Sequence, residues 1–323
     1  MKAIRIHQYG GPESLACESM DATPPGADEA RVSVRACGIN FVDIYQRTGL
    51  YKIALPSTLG LECAGVVEEV GENVTTVKRG DRVASCSAPG SYAESVNVPA
   101  RVLVPLPDSV RFEIGAALMV QGLTAHYLVH TTAEVGPSTT VLVHAAAGGV
   151  GLLLIQVAKM RGARVIAVVS TDDKASLARE AGADETICTA QIDFLERAKS
   201  LTAGRGVDVV FDSVGKDTFD RSLQALAPLG HLVSFGQASG AVGPFDPLKL
   251  GAGSLSLTRP RLADYVATPE MLRARSGDLF RWVAEGTLRV KEPTVYPLQD
   301  AAVAHRDLEA RRTTGKLVLR PSE

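Results

Sequence analysis

This sequence of 323 residues lacks any surplus of charge. Its 34 Lys and Arg residues stand against 36 Asp and Glu, a formal net charge of −2. Proteins that grip nucleic acid through its phosphates need a basic excess, so no nucleic-acid partner is expected. Aromatic residues make up only 5% of the chain, leaving no aromatic-laced basic patch for RNA. Cysteine is scarce too. Cys17, Cys37, Cys63, Cys86 and Cys188 are odd in number and form no CxxC pair. This argues against a disulfide framework and fits buried free thiols in a reducing cytoplasm. Long unbroken apolar runs are also missing. The best candidate, residues 141–158, is interrupted by His144, Gln156 and glycines, and reads as a strand followed by a helix, so no membrane partner is expected. Residues 1–9 alternate like a strand and lack the apolar core of a signal peptide.

Hydrophobic residues (46%) and charged residues (22%) are present in the proportions of a globular protein, and the length suggests about two domains. Residues 1–118 read as β-rich. Strand-like segments at 31–36 and 65–70 are separated by turns at Gly10-Gly11-Pro12, Pro24-Pro25-Gly26 and Gly80-Asp81. From residue 119 the pattern becomes an alternation. Strands are expected at 139–144, 164–169, 185–188, 207–212 and 232–235, with helices at 150–161, 172–181, 192–201 and 217–226. This is the signature of an α/β doubly wound parallel sheet, with right-handed crossovers and a ligand crevice at the strands' carboxyl ends. Helices at 269–285 and 299–311 and a strand at 316–319 are expected to return to the first domain. The expected organisation is therefore 1–118 plus 261–323 around an inserted 119–260.

Gly148-Gly149-Val150-Gly151 is the most informative segment. It joins an apolar strand to an apolar helix, and such a turn sets backbone N–H groups and a helix N-terminus against a pyrophosphate. Ala146 takes the place of the first glycine in GxGxxG, so this is a variant of the dinucleotide fingerprint. The second strand ends Val168-Val169-Ser170. No carboxylate stands at Val169, where NAD-selective domains place the acid that binds the ribose 2′-OH.

Three segments point to one family: Gly60 through Val67 (GLECAGVV), Gly80-Asp81-Arg82-Val83, and Ala145 through Gly151 with Gln156 and Lys159 behind it. Together they resemble the medium-chain dehydrogenase/reductase superfamily. Gly38-Ile39-Asn40-Phe41-Val42-Asp43-Ile44-Tyr45, Gly49-Leu50-Tyr51, Val233 to Gly236 and Thr258-Arg259-Pro260 narrow the resemblance to its zinc-independent quinone oxidoreductase group. Zeta-crystallin is related to that group, and the bacterial NADPH:quinone reductases are its most similar branch. The resemblance implies a GroES-like catalytic domain, a Rossmann domain and a homodimer.

It also implies site residues. Asn40, Tyr45 and Tyr51 resemble the substrate-facing segment, and Arg259 is a further catalytic candidate. An amide and two phenols can donate hydrogen bonds to a quinone oxygen, and tyrosine rings can stack on its face. Gly148, Gly149, Val150 and Gly151 are expected at the pyrophosphate. Ser170 and Lys174 look like the family's 2′-phosphate contacts, a small donor and a point charge. Thr189 stands where the family has a tyrosine, and Asp172 and Asp173 lie close by. Ser213, Phe235, Gly236, Gln237 and Ala238 follow the fourth and fifth strands, and Tyr127 and Arg311 match further cofactor positions. NADPH is the expected cofactor.

Zinc enzymes of the superfamily carry a cysteine and a histidine where this chain has Asn40 and Leu61, and a structural zinc needs four cysteines where it has only Cys86. No metal is expected. Without a Lewis acid the acceptor must already be electrophilic, such as a quinone or an enone. The expected function is NADPH-dependent reduction of a small quinone, by hydride or by single electrons. The alternatives are an NADPH-dependent alkenal/enone reductase and a non-catalytic crystallin-like or RNA-binding protein.

Overall fold

The computed structural model describes residues 1–321. The chain divides into two compact units, Met1–Leu123 with Val266–Glu323, and Thr124–Tyr265.

The first unit is built on two sheets. In the smaller, Lys2–Ile6 lies between Ala16–Ser19 and Ser57–Thr58. In the larger, the central strand Glu29–Ile39 pairs antiparallel with Glu62–Val70, Ser95–Pro99 and Leu317–Arg320. Glu29–Ile39 alternates buried and half-buried residues as far as Val34, as a strand with one wet face does. Ala36, Cys37, Gly38 and Ile39 then form a run buried on both sides. The core around it gathers Ile4, Ile6, Val32, Leu59, Tyr92 and Leu317. Cys17 departs from the expectation of buried thiols. It is exposed because Ala16–Ser19 is an edge strand, whereas the other four cysteines are buried.

The second unit is a six-stranded, all-parallel sheet in the order Glu185–Cys188, Arg164–Val169, Thr140–Val143, Val207–Asp212, Leu226–Ser234, Ser256–Thr258. The strand order reverses beside Thr140–Val143, the topological switch point where doubly wound sheets bind ligands. All four residues of that strand are buried, as in a sheet covered on both faces. The helix Gly149–Met160 follows it and buries seven of its residues, Gly151 among them. The fifth strand begins at Leu226, six residues before the expected start. Ala225-Leu226-Ala227-Pro228 reads as a helix end, but the helix stops at Gln224 and Leu226 pairs with Val207 across a bulge. No helix among the described residues is long and apolar enough to cross a membrane.

Candidate functional site

In the first unit the buried strand end at Ile39 turns into the helix Phe41–Thr48. Asn40 sits extended at the N-cap, and its backbone N–H donates to Asp43 Oδ2 at 2.7 Å. A first-turn acid thereby satisfies an N–H at the helix start. Gly49 ends the helix in the left-handed region, φ 80°, where a Cβ would strike the Tyr9 ring. The next turn doubles back, with Tyr51 N–H donating to Tyr45 O at 2.9 Å. Tyr45 is therefore buried with Tyr51 against its edge, ring centroids 5.2 Å apart at 65°, while Tyr51 is 39% exposed. The structure brings these two phenols together as the segment's polar aromatic face.

Asn40 has a different role from a loop amide. It is buried, and both ends of its amide are engaged. Nδ2 donates to Glu62 Oε2 at 2.9 Å, and Oδ1 accepts from Lys316 Nζ at 2.7 Å. Lys316 Nζ also lies 2.5 Å from Glu62 Oε2, with the two side chains 2% and 0% exposed. Glu62 Oε1 accepts from the backbone N–H of Val120 at 2.5 Å. A buried ammonium thus lies beside the residue that replaces the zinc enzymes' cysteine. Burial pulls the Lys316 ammonium below its ordinary range, and Glu62 opposes that shift. Gly38 makes room for the pair, because a Cβ there would lie 2.1 Å from Glu62 Oε2 and 2.7 Å from Lys316 Cε.

Beneath Asn40 runs a second buried network. Tyr92 OH lies 3.0 Å from Asp43 Oδ2 and 3.2 Å from His305 Nε2, and His305 Nδ1 lies 3.1 Å from Arg47 Nη1. A guanidinium can only donate, so His305 Nδ1 accepts. The proton is then on Nε2, which donates to Tyr92 O, and the Tyr92 hydroxyl donates to Asp43. Burial, with the Arg47 charge, pushes His305 down to about 3, so the ring is neutral. Arg47 is held by Glu309 at 2.7 and 3.0 Å.

Burial pushes the Asp43 carboxyl up to about 7, opposed by the bonds it accepts from Asn40 N and Tyr92 OH. Asp43 Oδ1 has no hydrogen-bond partner. An acid whose folded pKa exceeds its unfolded value, about 4, gives stability that is intact below that value and lost as pH rises toward 7. The difference in denaturation midpoint between wild type and Asp43→Asn is expected to shift in favour of Asp43→Asn from pH 4 to pH 7 and then level off. A difference that stays constant over that range would show that Asp43 is not titrating there.

In the second unit the fingerprint turn is tightest at Ala145, which takes φ 48°, a left-handed conformation rare for a residue with a Cβ. Ala146 N–H donates to Val168 O at 3.1 Å, and Gly148 N–H to Ala145 O at 2.9 Å. Gly149, Val150 and Gly151 then open the helix with Gly148 as cap, so their amides lie in its first turn, the position suited to an anion. Gly151 is required by packing, since a Cβ there would lie 2.6 Å from both Ala145 O and Ala146 O.

At the end of Arg164–Val169, Ser170 and Lys174 converge, with Nζ 3.4 Å from Oγ. Both lie at the start of the helix Asp172–Glu180, which Thr171 caps by accepting from Lys174 N–H. Thr189 is beside them in the sheet, its hydroxyl donating to Val169 O at 3.2 Å. Asp172 accepts from Gln191 Nε2 at 2.8 Å, which gives this nearby acid a partner of its own. These residues fit a nicotinamide dinucleotide with a 2′-phosphate: amides at a helix start, a hydroxyl and a cation, and no carboxylate at Val169.

The fourth and fifth strand ends also meet. Asp212 is fully buried and gathers Val214 N–H at 2.8 Å, Gly215 N–H at 3.1 Å, and the hydroxyls of Thr218 and Ser222. This fixes the turn after Ser213. Ala238 N–H donates to Ser213 O at 3.1 Å, and Gly236 packs so closely on Ser213 that a Cβ would lie 2.5 Å from its carbonyl. Ser213 and Phe235, Gly236, Gln237 and Ala238 therefore form one cluster. Arg259 belongs to the same neighbourhood, donating to Ser234 O at 3.1 Å. The Tyr127 ring is buried and stacks on Tyr265, centroids 4.1 Å apart at 11°. Arg311 is an exposed residue just past the helix Ala301–Glu309, in the first unit. His126 and His130 stack at 4.5 Å, and among the described residues no three His, Cys, Asp or Glu side chains could together hold a metal.

Sequence reasoning assigned no role to Glu62, Lys316, Asp43, Tyr92, Arg47 or His305. The one signal available was Lys316 directly before the apolar strand Leu317–Arg320, a charge at the start of a segment with three buried residues.

Residues 26–108 match the family described as alcohol dehydrogenase GroES-like domain, and residues 149–275 the family described as zinc-binding dehydrogenase. The chain is 47% identical to a quinone oxidoreductase of Pseudomonas aeruginosa, over 99% of each chain. It is 40% identical to a 2-haloacrylate reductase of a Burkholderia species, over 99% of this chain and 98% of that one. Among solved structures it is similar to the Escherichia coli quinone oxidoreductase complexed with NADPH. That match has a TM-score of 0.97 and 43% identity, and covers 99% of this chain and 100% of the other.

Proposed function

Because this chain belongs to the zinc-independent quinone oxidoreductase group of the medium-chain dehydrogenase/reductase superfamily, we infer that it is an NADPH-dependent enzyme that reduces small quinones. The observation that carries this reading is likeness over essentially the whole chain to quinone oxidoreductases, one of them solved with NADPH. The glycine turn and the Ser170–Lys174 pair supply the matching chemistry in this chain.

NADPH, when bound, would supply the reducing equivalents, as a hydride or as single electrons. The protein's own work is to hold the acceptor and stabilise the charge that grows on its oxygen. We assign that role to Tyr45, Tyr51 and Asn40. The phenols present O–H donors and ring faces, and the Asn40 amide keeps one N–H that is held only loosely, 3.4 Å from Gly38 O. The hydroquinone's remaining proton comes from water. Arg259 acts from the cluster at Ser234, and Tyr127 and Arg311 remain proposed cofactor contacts. The enzyme works as a homodimer in the cytoplasm, with neither membrane nor nucleic acid as partner. This part of the proposal rests on the resemblance, the absence of a basic excess and the four buried thiols.

NADPH oxidation with 1,4-benzoquinone, measured beside an α,β-unsaturated aldehyde, tests the reading. Quinone is expected to be the better substrate. Turnover of the enal alone would transfer the chain to the alkene-reductase reading, which the likeness to 2-haloacrylate reductase favours. Tyr45→Phe should lower quinone kcat by a few-fold and leave NADPH binding intact, because one of several donors is lost. Unchanged steady-state kinetics would remove Tyr45 from the site.

A further inference from the structure

We propose that Lys316 is a positioning residue for quinone reduction, fixing the Asn40 amide so that one particular N–H remains for the acceptor oxygen. The proposal rests on the reading above, in which Asn40 meets the substrate.

The argument is one of donors and acceptors. Lys316 Nζ donates to Asn40 Oδ1 at 2.7 Å and to Glu62 Oε2 at 2.5 Å, while Asn40 Nδ2 donates to the same Glu62 oxygen at 2.9 Å. The three side chains close a ring. Flipping the amide would set Nδ2 against an ammonium and Oδ1 against a carboxylate, two repulsive contacts in place of two attractive ones. The surroundings are buried, so neither contact could be relieved by bulk water. The ring therefore admits one orientation. It uses Oδ1 and one N–H, and leaves the second N–H with only the long contact to Gly38 O. An amide free to flip would offer its oxygen for part of the time, and an oxygen repels the charge that develops on a quinone. Lys316 directly precedes the strand in which Leu317 pairs with Ile39, the residue before Asn40, and its own carbonyl accepts from Thr294 N–H at 2.9 Å, so its backbone is held on both counts. Glu62 is anchored from its other oxygen by Val120 N–H. None of the three depends on a flexible loop, as a preoriented donor requires.

The test uses Lys316→Met with Glu62→Gln, which removes both charges together and avoids stranding either one in the core. It is assayed as the full-length protein with 1,4-benzoquinone, beside Asn40→Ala and the triple combination. The expected result for Lys316→Met/Glu62→Gln is a fall in quinone kcat/KM of about tenfold with unchanged NADPH Kd. Asn40→Ala should fall as far, and the triple variant no further, because both changes remove the same directed N–H. If Asn40→Ala is slow while the folded double variant turns over like wild type, the proposal is overturned and the role of Asn40 stands. If Asn40→Ala itself matches wild type, the reading of the site fails and the proposal with it. Should the double variant not fold, a crystal structure of the wild type with NADPH and a quinone decides. Asn40 Nδ2 on the quinone oxygen and Oδ1 on Lys316 would support the proposal, and any other amide contact would overturn it.

Discussion

Replacing Gly151 with alanine should weaken NADPH binding at least about tenfold and lower the thermal midpoint, with quinone reduction falling in parallel. The added methyl group has nowhere to go. It would lie 2.6 Å from the carbonyl oxygens of Ala145 and Ala146 and 2.7 Å from the Ala146 carbonyl carbon. These are backbone atoms, and Ala146 N–H is bonded back to Val168. The clash must therefore be relieved by pushing the helix Gly149–Met160 away from the turn, which moves the amides proposed to meet the pyrophosphate. Overpacking of this kind costs about 1–3 kcal/mol before any loss of binding is counted. Gly277→Ala is the control. It lies within the helix Pro269–Ala284, and beyond its chain neighbours and the helix's own backbone nothing comes within 4 Å of the added carbon, so it should be neutral or stabilising by about 0.5–1 kcal/mol. Equal behaviour of the two variants would mean that close packing at the turn is not what Gly151 provides.

The second large effect is expected at Lys174. Lys174→Glu should reduce kcat/KM for NADPH about a hundredfold, or roughly 2.7 kcal/mol, and leave NADH almost untouched. The substitution exchanges a cation for an anion 3.4 Å from Ser170, where the 2′-phosphate is expected. Because the site is at the surface, the loss should shrink as ionic strength rises. NADPH and NADH losing activity equally would show that Lys174 acts on the fold or the pyrophosphate and not on the 2′-phosphate.

The glycine turn and the Ser170–Lys174 pairing were legible in the sequence because each is local. Gly148 to Gly151 is one turn, and Ser170 and Lys174 are one helical turn apart. The parallel alternation was legible for the same reason: strands buried on both faces appear as short apolar runs, and Arg164–Val169 and Val207–Asp212 fall where the pattern puts them. The buried polar networks of the first unit have no such local mark. Asn40, Asp43 and Arg47 lie within eight residues, but their partners Glu62, Tyr92, His305 and Lys316 come from three other parts of the chain, with Lys316 276 residues from Asn40. A carboxylate in a helix's first turn suggests only a dipole effect, and a lysine before a strand suggests only a solvated end. The tertiary fold turns each into a buried group with two fixed partners. Asn40 shows the difference most clearly. Its side chain was expected to face substrate from the family resemblance and the chemistry of an amide, and what the sequence hid is that most of its hydrogen-bonding capacity is already committed.

The pairing of Leu317–Arg320 with the centre of the larger sheet also constrains synthesis. During translation the inserted parallel sheet, residues 140–258, has all its strands in hand while the strand beside Ile39 has yet to be made. Until the ribosome reaches residue 316, the nascent first unit carries an acid, Glu62, whose only cationic contact in the finished ring is still missing. Sealing that sheet requires closing a very long loop, an entropic cost met late and in a single step. The larger sheet of the first unit can therefore be completed only after every strand of the second unit has been made.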